Sequence, residues 1–267
     1  MIIRQAVKTD IGKRRRENQD AFGDFPDMSL YIVADGLGGH AGGKAASALS
    51  VAAIRESLAQ TENTDLTPLV DQCGSCSLAG RRLVIAVDHA NERVLQASQT
   101  DPAMQGMGTT VAAMLFDHER ELVAICHVGD TRVYRIRDAT IDELTQDHTV
   151  AQQLFNDGKI DLEGLKTSPH RHLLTHAVGI GKVIHPTLRL EKPLPGDVFV
   201  LASDGVHNAV SNEEMLGVIR QAGPDLDSAC TRLIALANER GGKDNSTVLL
   251  VACEPSSPTS ASSAPPE

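Results

Sequence analysis

Two apolar runs in this chain end in the same dipeptide: IVADG at residues 32–36 and VLASDG at residues 200–205. Both have the length and apolar content of buried strands. A charged acid at the end of such a strand is costly if it is desolvated and left unpaired. Asp-Gly by itself is an ordinary turn dipeptide, and either run alone would be read that way. Asp130 in VGD and Asp244 in GKDN, however, stand at the same kind of strand–loop junction. If these strand ends converge in the fold, the four acids need a cation between them.

Hard carboxylate oxygens suit Mg²⁺ or Mn²⁺ rather than zinc. Zinc would want His or Cys at ligand spacing, and the ten histidines are scattered. The glycine after Asp35 lets the backbone turn sharply, which could expose the Gly36 carbonyl as another oxygen ligand. The same glycine-rich stretch offers a competing motif. Gly38-x-x-x-x-Gly43-Lys44 matches a P-loop through its lysine, but Ala45 stands where the metal-binding Ser or Thr belongs. A nucleotide-binding loop is therefore disfavoured.

Residues 2–7 read as a first strand and 29–34 as a buried one. Small and apolar residues near helical spacing predict a helix over 43–59, and a second over 81–97. TENTDLTPLVDQCGSCSLAG reads as a loop or insert between them. GTTVAAMLF, ELVAICHV and RVYRIR read as three strands joined by DHER and GDT, connections short enough for antiparallel hairpins. A helix followed by a polar, His/Pro/Gly-containing segment covers 148–174, and its 154–173 portion is a candidate flap. DVFVLA is another strand, two amphipathic helices fall near 212–221 and 225–239, and STVLLVAC is the last strand. Strands are grouped and helices paired, unlike the alternation of a doubly wound parallel sheet. Two antiparallel sheets packed face to face with helices outside fit this order.

The chain has 267 residues, a size at which one large domain is common. Aromatics are only 3%, with no Trp, so the core must be mostly Leu, Val, Ile and Ala. A net charge of −10 argues against a nucleic-acid or anionic-membrane surface. The first ten residues lack the apolar core of a signal peptide, and no run approaches a membrane span. A cytoplasmic location is expected. Cys73 and Cys76 form a CxxC, but without a second ligand pair it reads as an accidental loop pair in a reducing compartment. Residues 254–267, EPSSPTSASSAPPE, have almost nothing to bury and read as a disordered tail after a folded unit spanning 1–253.

TDIGKRRRENQDAF, VADGLGGHAGG, GTTVAA, HVGDTRVY, LTQDH, RHLLTHAVG, LASDGV and GGKDNSTV occur in this order from about residue 9 to 248. In this the chain resembles the metal-dependent protein phosphatases of the protein phosphatase 2C type, and in particular bacterial ones. The resemblance implies an α+β fold, a four-layer α-β-β-α sandwich of two antiparallel sheets flanked by helix pairs. It also implies a site for two Mn²⁺ or Mg²⁺ ions, with a third, weaker one in bacterial relatives. Asp35 would bridge the two ions, with the Gly36 carbonyl holding one and Asp204 and Asp244 the other. Asp20 would support the site, and Asp130 with Asp204 would take the third ion. Arg15 aligns with the arginine that grips the substrate phosphate, His40 with the proposed general acid, and Asn245 follows the last metal acid and would orient the site. Gln19 departs from the glutamate often found there, which implies at most weaker metal affinity.

The implied function is a serine/threonine protein phosphatase acting on phosphoproteins and opposing a serine/threonine kinase, and a monomer is expected. Its chemistry is also arguable from the residues. Phosphomonoesters hydrolyse extremely slowly unaided. Two divalent ions can acidify a bridging water and neutralise phosphoryl charge, leaving the protein little covalent work. Arg15 offers a fork suited to two phosphate oxygens. Blander readings stand beside these. KRRR at 13–16 could be a solvated basic patch, His40 a loop cap, and His148 and His172 structural hydrogen-bonders. Two rival functions are a non-catalytic phosphoprotein-binding module and a P-loop nucleotide hydrolase.

Overall fold

Consecutive residues of the apolar runs enter different cores. In the strand Leu30–Leu37, Leu30, Ile32 and Ala34 join one buried cluster, while Tyr31 and Val33 join another. A strand covered on both faces has no polar side to show, which is why these runs lack alternation. The computed structural model describes residues 1–38, 41–61 and 77–255. His40, the cysteines Cys73 and Cys76, most of the expected insert, and the tail from residue 256 onward lie outside the described residues.

Among the described residues the strands are β1 (Ile2–Asp10), β2 (Asp20–Phe25), β3 (Leu30–Leu37), β4 (Gly108–Thr109), β5 (Val111–Asp117), β6 (Leu122–Val128), β7 (Arg132–Arg137), β8 (Thr140–Glu143), β9 (Thr187–Glu191), β10 (Val198–Ala202) and β11 (Ser246–Glu254). The helices are α1 (Ala41–Gln60), α2 (Leu78–Thr100), α3 (Val150–Asn156), α4 (Leu162–Thr167), α5 (Asp204–His207), α6 (Asn212–Ala222) and α7 (Leu226–Glu239). One sheet runs β1-β11-β10-β7-β8; the other runs β2-β3-β5-β6-β9, with β4 beside β3. Every strand pairing is antiparallel.

Three buried clusters make four layers. Tyr31, Met114, Phe199, Leu201, Leu249 and Val251 fill the space between the sheets. Leu83, Val87 and Val94 of α2 and Ile54 and Leu58 of α1 cover the outer face of the β3 sheet. Met215 and Ile219 of α6 and Leu233 of α7 cover the outer face of the β11 sheet. Five of the described helices, α2, α3, α4, α6 and α7, start at a side chain that accepts a backbone N–H. Ser77 caps α2 by accepting from the Gly80 N–H at 3.0 Å, and Ser211 with Glu214 forms a reciprocal capping box at α6. No described helix is long and apolar enough to cross a membrane.

Three features differ from the sequence reading. The GDT connection is not a hairpin. It carries the chain from β6 in one sheet to β7 in the other, and its residues are buried, Asp130 at 8% and Thr131 at 1% exposure. Loop length alone does not say which sheet the next strand joins. The 148–174 region holds two short helices, α3 and α4, rather than one. β2, β8 and β9 had no strand-like apolar run to announce them, since they lie at sheet edges where a polar side can face water.

Candidate metal centre

β2 and β3 pair so that Asp20 lies directly opposite Asp35. Cross-strand partners stand close together, so this register alone brings two acids from separate motifs side by side. Asp20 then ties the two sheets. Its Oδ2 accepts from Ser203 Oγ at 2.8 Å and from Thr247 Oγ1 at 2.7 Å, both belonging to the opposite sheet's strand ends. Its Oδ1 is buried with no hydrogen-bond partner.

Asp35 is fastened through its backbone. Its carbonyl accepts from Thr109 Oγ1 and the Thr110 N–H, each at 2.8 Å, and its N–H donates to Thr110 Oγ1 at 3.1 Å. Thr110 Oγ1 lies 2.5 Å from Thr131 Oγ1, which anchors the buried crossing that presents Asp130. Asp204 opens α5, two residues after the end of β10. Its Oδ2 accepts from Asn208 Nδ2 at 3.3 Å, while Oδ1 is another buried oxygen without a partner. Asp244 precedes β11; its Oδ1 accepts from the Asn245 N–H at 2.8 Å and its Oδ2 from Arg15 Nη2 at 2.6 Å.

The glycines of the two Asp-Gly pairs permit close packing. A Cβ on Gly36 would run into the carbonyl of Gly43 and that of Gln19, and one on Gly205 into the carbonyl of Asn245. Gln19 itself is a backbone hub: its N–H donates to Asn245 Oδ1 at 2.9 Å, and its carbonyl accepts from Ser47 Oγ at 2.6 Å and the Gly36 N–H at 3.2 Å.

These acids are short of positive charge. Burial pushes Asp35 well above the usual carboxylate range, with Asp20, Asp204, Asp130 and Asp244 adding to the effect. Burial, then Asp130, Asp244 and Asp20, push Asp204 up to about 8. Asp20 is raised to about 6 by burial, against the opposing hydrogen bonds from Thr247 and Ser203. Asp130 is raised to about 6 by burial and then by Asp147. Mutual elevation of this kind marks like charges sharing one site.

A cleft of about 920 Å³ opens over them, lined by Asp35, Gly36, Asp130, Asp204 and Asp244 together with Arg15 and Asn245. Asp20 backs this wall rather than lining it. Among the described residues, no three acidic, His or Cys side chains close on one point as a ready-made cage; the acids ring the cleft from both sheets. The donor set still fits hard divalent cations. It is all oxygen, two buried carboxylate oxygens want a partner, and the carboxylates destabilise one another without a counter-charge.

The structure thus gathers every expected site residue that it describes, with two refinements. Asn245 does not offer its amide to the cleft. Nδ2 donates to the carbonyls of Ile11 (2.9 Å) and Glu17 (3.0 Å), and Oδ1 accepts from Gln19, so this side chain holds the loop between β1 and β2. His148 is structural as read: its Nδ1 lies 3.3 Å from the Gly129 N–H and its Nε2 3.0 Å from Thr187 Oγ1. His172 instead lines the cleft. Lys44, the P-loop lysine, is exposed on α1 and pairs with Glu17 at 3.1 Å. Sequence reasoning missed Ser203, Thr247 and Thr110. Ser203 adjoins Asp204 and Thr247 follows Asp244 closely, and that adjacency was the available signal; Thr110 meets Asp35 only through the fold.

Comparison with known proteins points the same way. The family model for protein phosphatase 2C matches residues 12–245. The serine/threonine protein phosphatase PstP of Mycobacterium tuberculosis is 34% identical over 250 residues, which are 94% of this chain and 45% of PstP. The chain therefore spans about half the length of that relative. The protein phosphatase PhpP of Streptococcus pneumoniae is 30% identical, over 92% of this chain and 96% of its own length. The crystal structure of the PstP catalytic domain in complex with two manganese ions superposes with a TM-score of 0.77 at 32% identity, covering 94% of this chain and 97% of that one.

Proposed function

The chain belongs to the protein phosphatase 2C family of metal-dependent phosphoprotein phosphatases, and we propose that it hydrolyses phosphoserine and phosphothreonine at the cleft between its sheets. The observation that carries this reading is the set of acids contributed by both sheets to one cleft wall, with the Oδ1 atoms of Asp20 and Asp204 buried and unpartnered. Asp35, Asp204, Asp244 and the Gly36 carbonyl would hold two Mn²⁺ or Mg²⁺ ions, with Asp20 behind them and Asp130 available to a third. Such ions, when bound, acidify water and neutralise phosphoryl charge.

The remaining work falls to the chain itself. Arg15 binds phosphoryl oxygens through its guanidinium and holds the ester in place. Breaking the P–O bond leaves an alkoxide on the serine or threonine, and His40 would donate a proton to that oxygen. Asn245 and the Gln19 backbone keep the Arg15 loop against β11. Supporting partners for this activity are a serine/threonine kinase and its substrates, met by a monomer in the cytoplasm.

Hydrolysis of p-nitrophenyl phosphate tests the reading. Turnover should require Mn²⁺, vanish with a chelator, and be abolished in Asp35→Asn and Asp204→Asn. Absence of turnover by the wild-type chain in excess Mn²⁺ would leave a phosphoprotein-binding module instead. A P-loop hydrolase would lose ATPase activity in Lys44→Ala, a change the phosphatase should largely tolerate.

A further inference from the structure

The mouth of the cleft carries cations that nothing in the described structure neutralises. Three other basic residues of this region are paired: Arg15 with Asp244, Lys44 with Glu17, and Arg240 with Glu214. Arg16, Arg171 and Lys243 line the same cleft, are exposed, and have neither an ion pair nor a side-chain hydrogen bond among the described residues. The chain has 35 acidic against 25 basic residues, so a shortage of acids does not explain three lone cations at one opening.

Their placement adds a second argument. Arg16 comes from the β1–β2 connection, Arg171 from the segment after α4, and Lys243 from the turn before β11. Three separate chain segments thus bring an exposed cation to the cleft, while the acids Asp35, Asp130 and Asp204 that line it are less exposed and Arg15 is half-exposed. A peptide whose phosphorylated side chain reaches those acids must lay its neighbouring residues across this rim. A net charge of −10 repels an acidic substrate at long range, so short-range rim cations are what would let one dock.

We propose that Arg16, Arg171 and Lys243 are specificity-determining residues that select phosphopeptides carrying an anionic side chain, carboxylate or second phosphate, beside the scissile phosphoresidue. This rests on the phosphatase reading above. The competing explanation is that the three cations only balance the cleft acids, in which case they would influence metal affinity and not peptide choice.

The test uses the full chain loaded with Mn²⁺. Turnover of p-nitrophenyl phosphate is measured first, because its absence would defeat the phosphatase reading rather than this inference. Four phosphothreonine peptides then differ only in their flanking positions: Glu, a second phosphothreonine, Gln, or Lys. Wild type should favour an anionic flank over Lys by about tenfold in kcat/KM, as a few exposed charge pairs allow. The preference should shrink in about 0.5 M salt, where exposed charges are screened. The Glu and phosphothreonine arms separate carboxylate from phosphate as the preferred anion. Arg16→Gln/Arg171→Gln/Lys243→Gln should lose the preference, and Arg171→Lys should keep it; thermal melting checks that each variant folds. Equal turnover of the Glu, phosphothreonine, Gln and Lys peptides by wild type would overturn the proposal. So would a triple variant that keeps the preference and alters only Mn²⁺ affinity.

Discussion

Arg15 donates from Nη2 to Asp244 Oδ2 at 2.6 Å, so the side chain proposed to grip phosphate is paired with one proposed to hold metal. Both are partly exposed, at 50% and 29%, and such a pair contributes no more than about 1 kcal/mol. A metal ion bound at Asp244 therefore has only a weak competitor in the guanidinium. Arg15→Ala should bind Mn²⁺ up to about fivefold more tightly by calorimetry, while kcat/KM on a phosphopeptide falls about a hundredfold for want of the phosphate donor. Weaker Mn²⁺ binding by Arg15→Ala would show that the pair does not compete.

Asn245 spends its whole amide on the loop that carries Arg15. Asn245→Ala leaves the Gln19 N–H and the carbonyls of Ile11 and Glu17 without that partner. The expected loss is about 2–3 kcal/mol in urea unfolding with chelator present. Amides in residues 11–19 should exchange faster in the folded state. Unchanged exchange there would mean that other contacts hold the loop.

Gly205 and Gly217 should respond oppositely to the same substitution. A Cβ at Gly205 meets the Asn245 carbonyl, whereas one at Gly217, exposed within α6, meets nothing within 4 Å. Gly205→Ala should destabilise by about 1–3 kcal/mol through overpacking and disturb Asp204. Gly217→Ala should stabilise by about 0.5–1 kcal/mol, because alanine is the better helix former. Urea denaturation of both variants checks the contrast.

His148 sets an acid limit. Burial, with His127 and His176 close by, lowers it from the ordinary histidine value to about 4. Its ring stands 4.6 Å from that of His127 and 5.3 Å from that of His176. The unfolded chain then binds the extra proton first, so this residue's contribution is present above about 6.5 and lost as pH falls toward 4. Melting temperature should drop over that window in wild type, and less steeply in His148→Gln. Parallel curves would assign the loss to other groups.

Asp35 and Asp204 were legible because their signal is local: an apolar run, then an acid, then a glycine. The buried strands and long helices were legible for the same reason, and α1, α2, α6 and α7 differ from the reading only at their ends. Asp130 was legible as a candidate but its surroundings were not. The GDT turn looks like a hairpin until Thr131 is seen against Thr110 across the crossing between sheets. Asn245 stood next to a metal acid in sequence, yet its hydrogen bonds reach back to residues 11, 17 and 19.

By itself, the order of residues determined which strands are buried on both faces, where the long helices lie, and which acids end up at strand termini, since each depends on neighbours a few positions away. Only the tertiary structure decided that Asp20 faces Asp35, that Ser203 and Thr247 bind Asp20 from the other sheet, and that Arg15 reaches Asp244. Those contacts join positions up to 229 residues apart, and they exist because two sheets buried their inner faces against each other and left the acidic strand ends at a common edge.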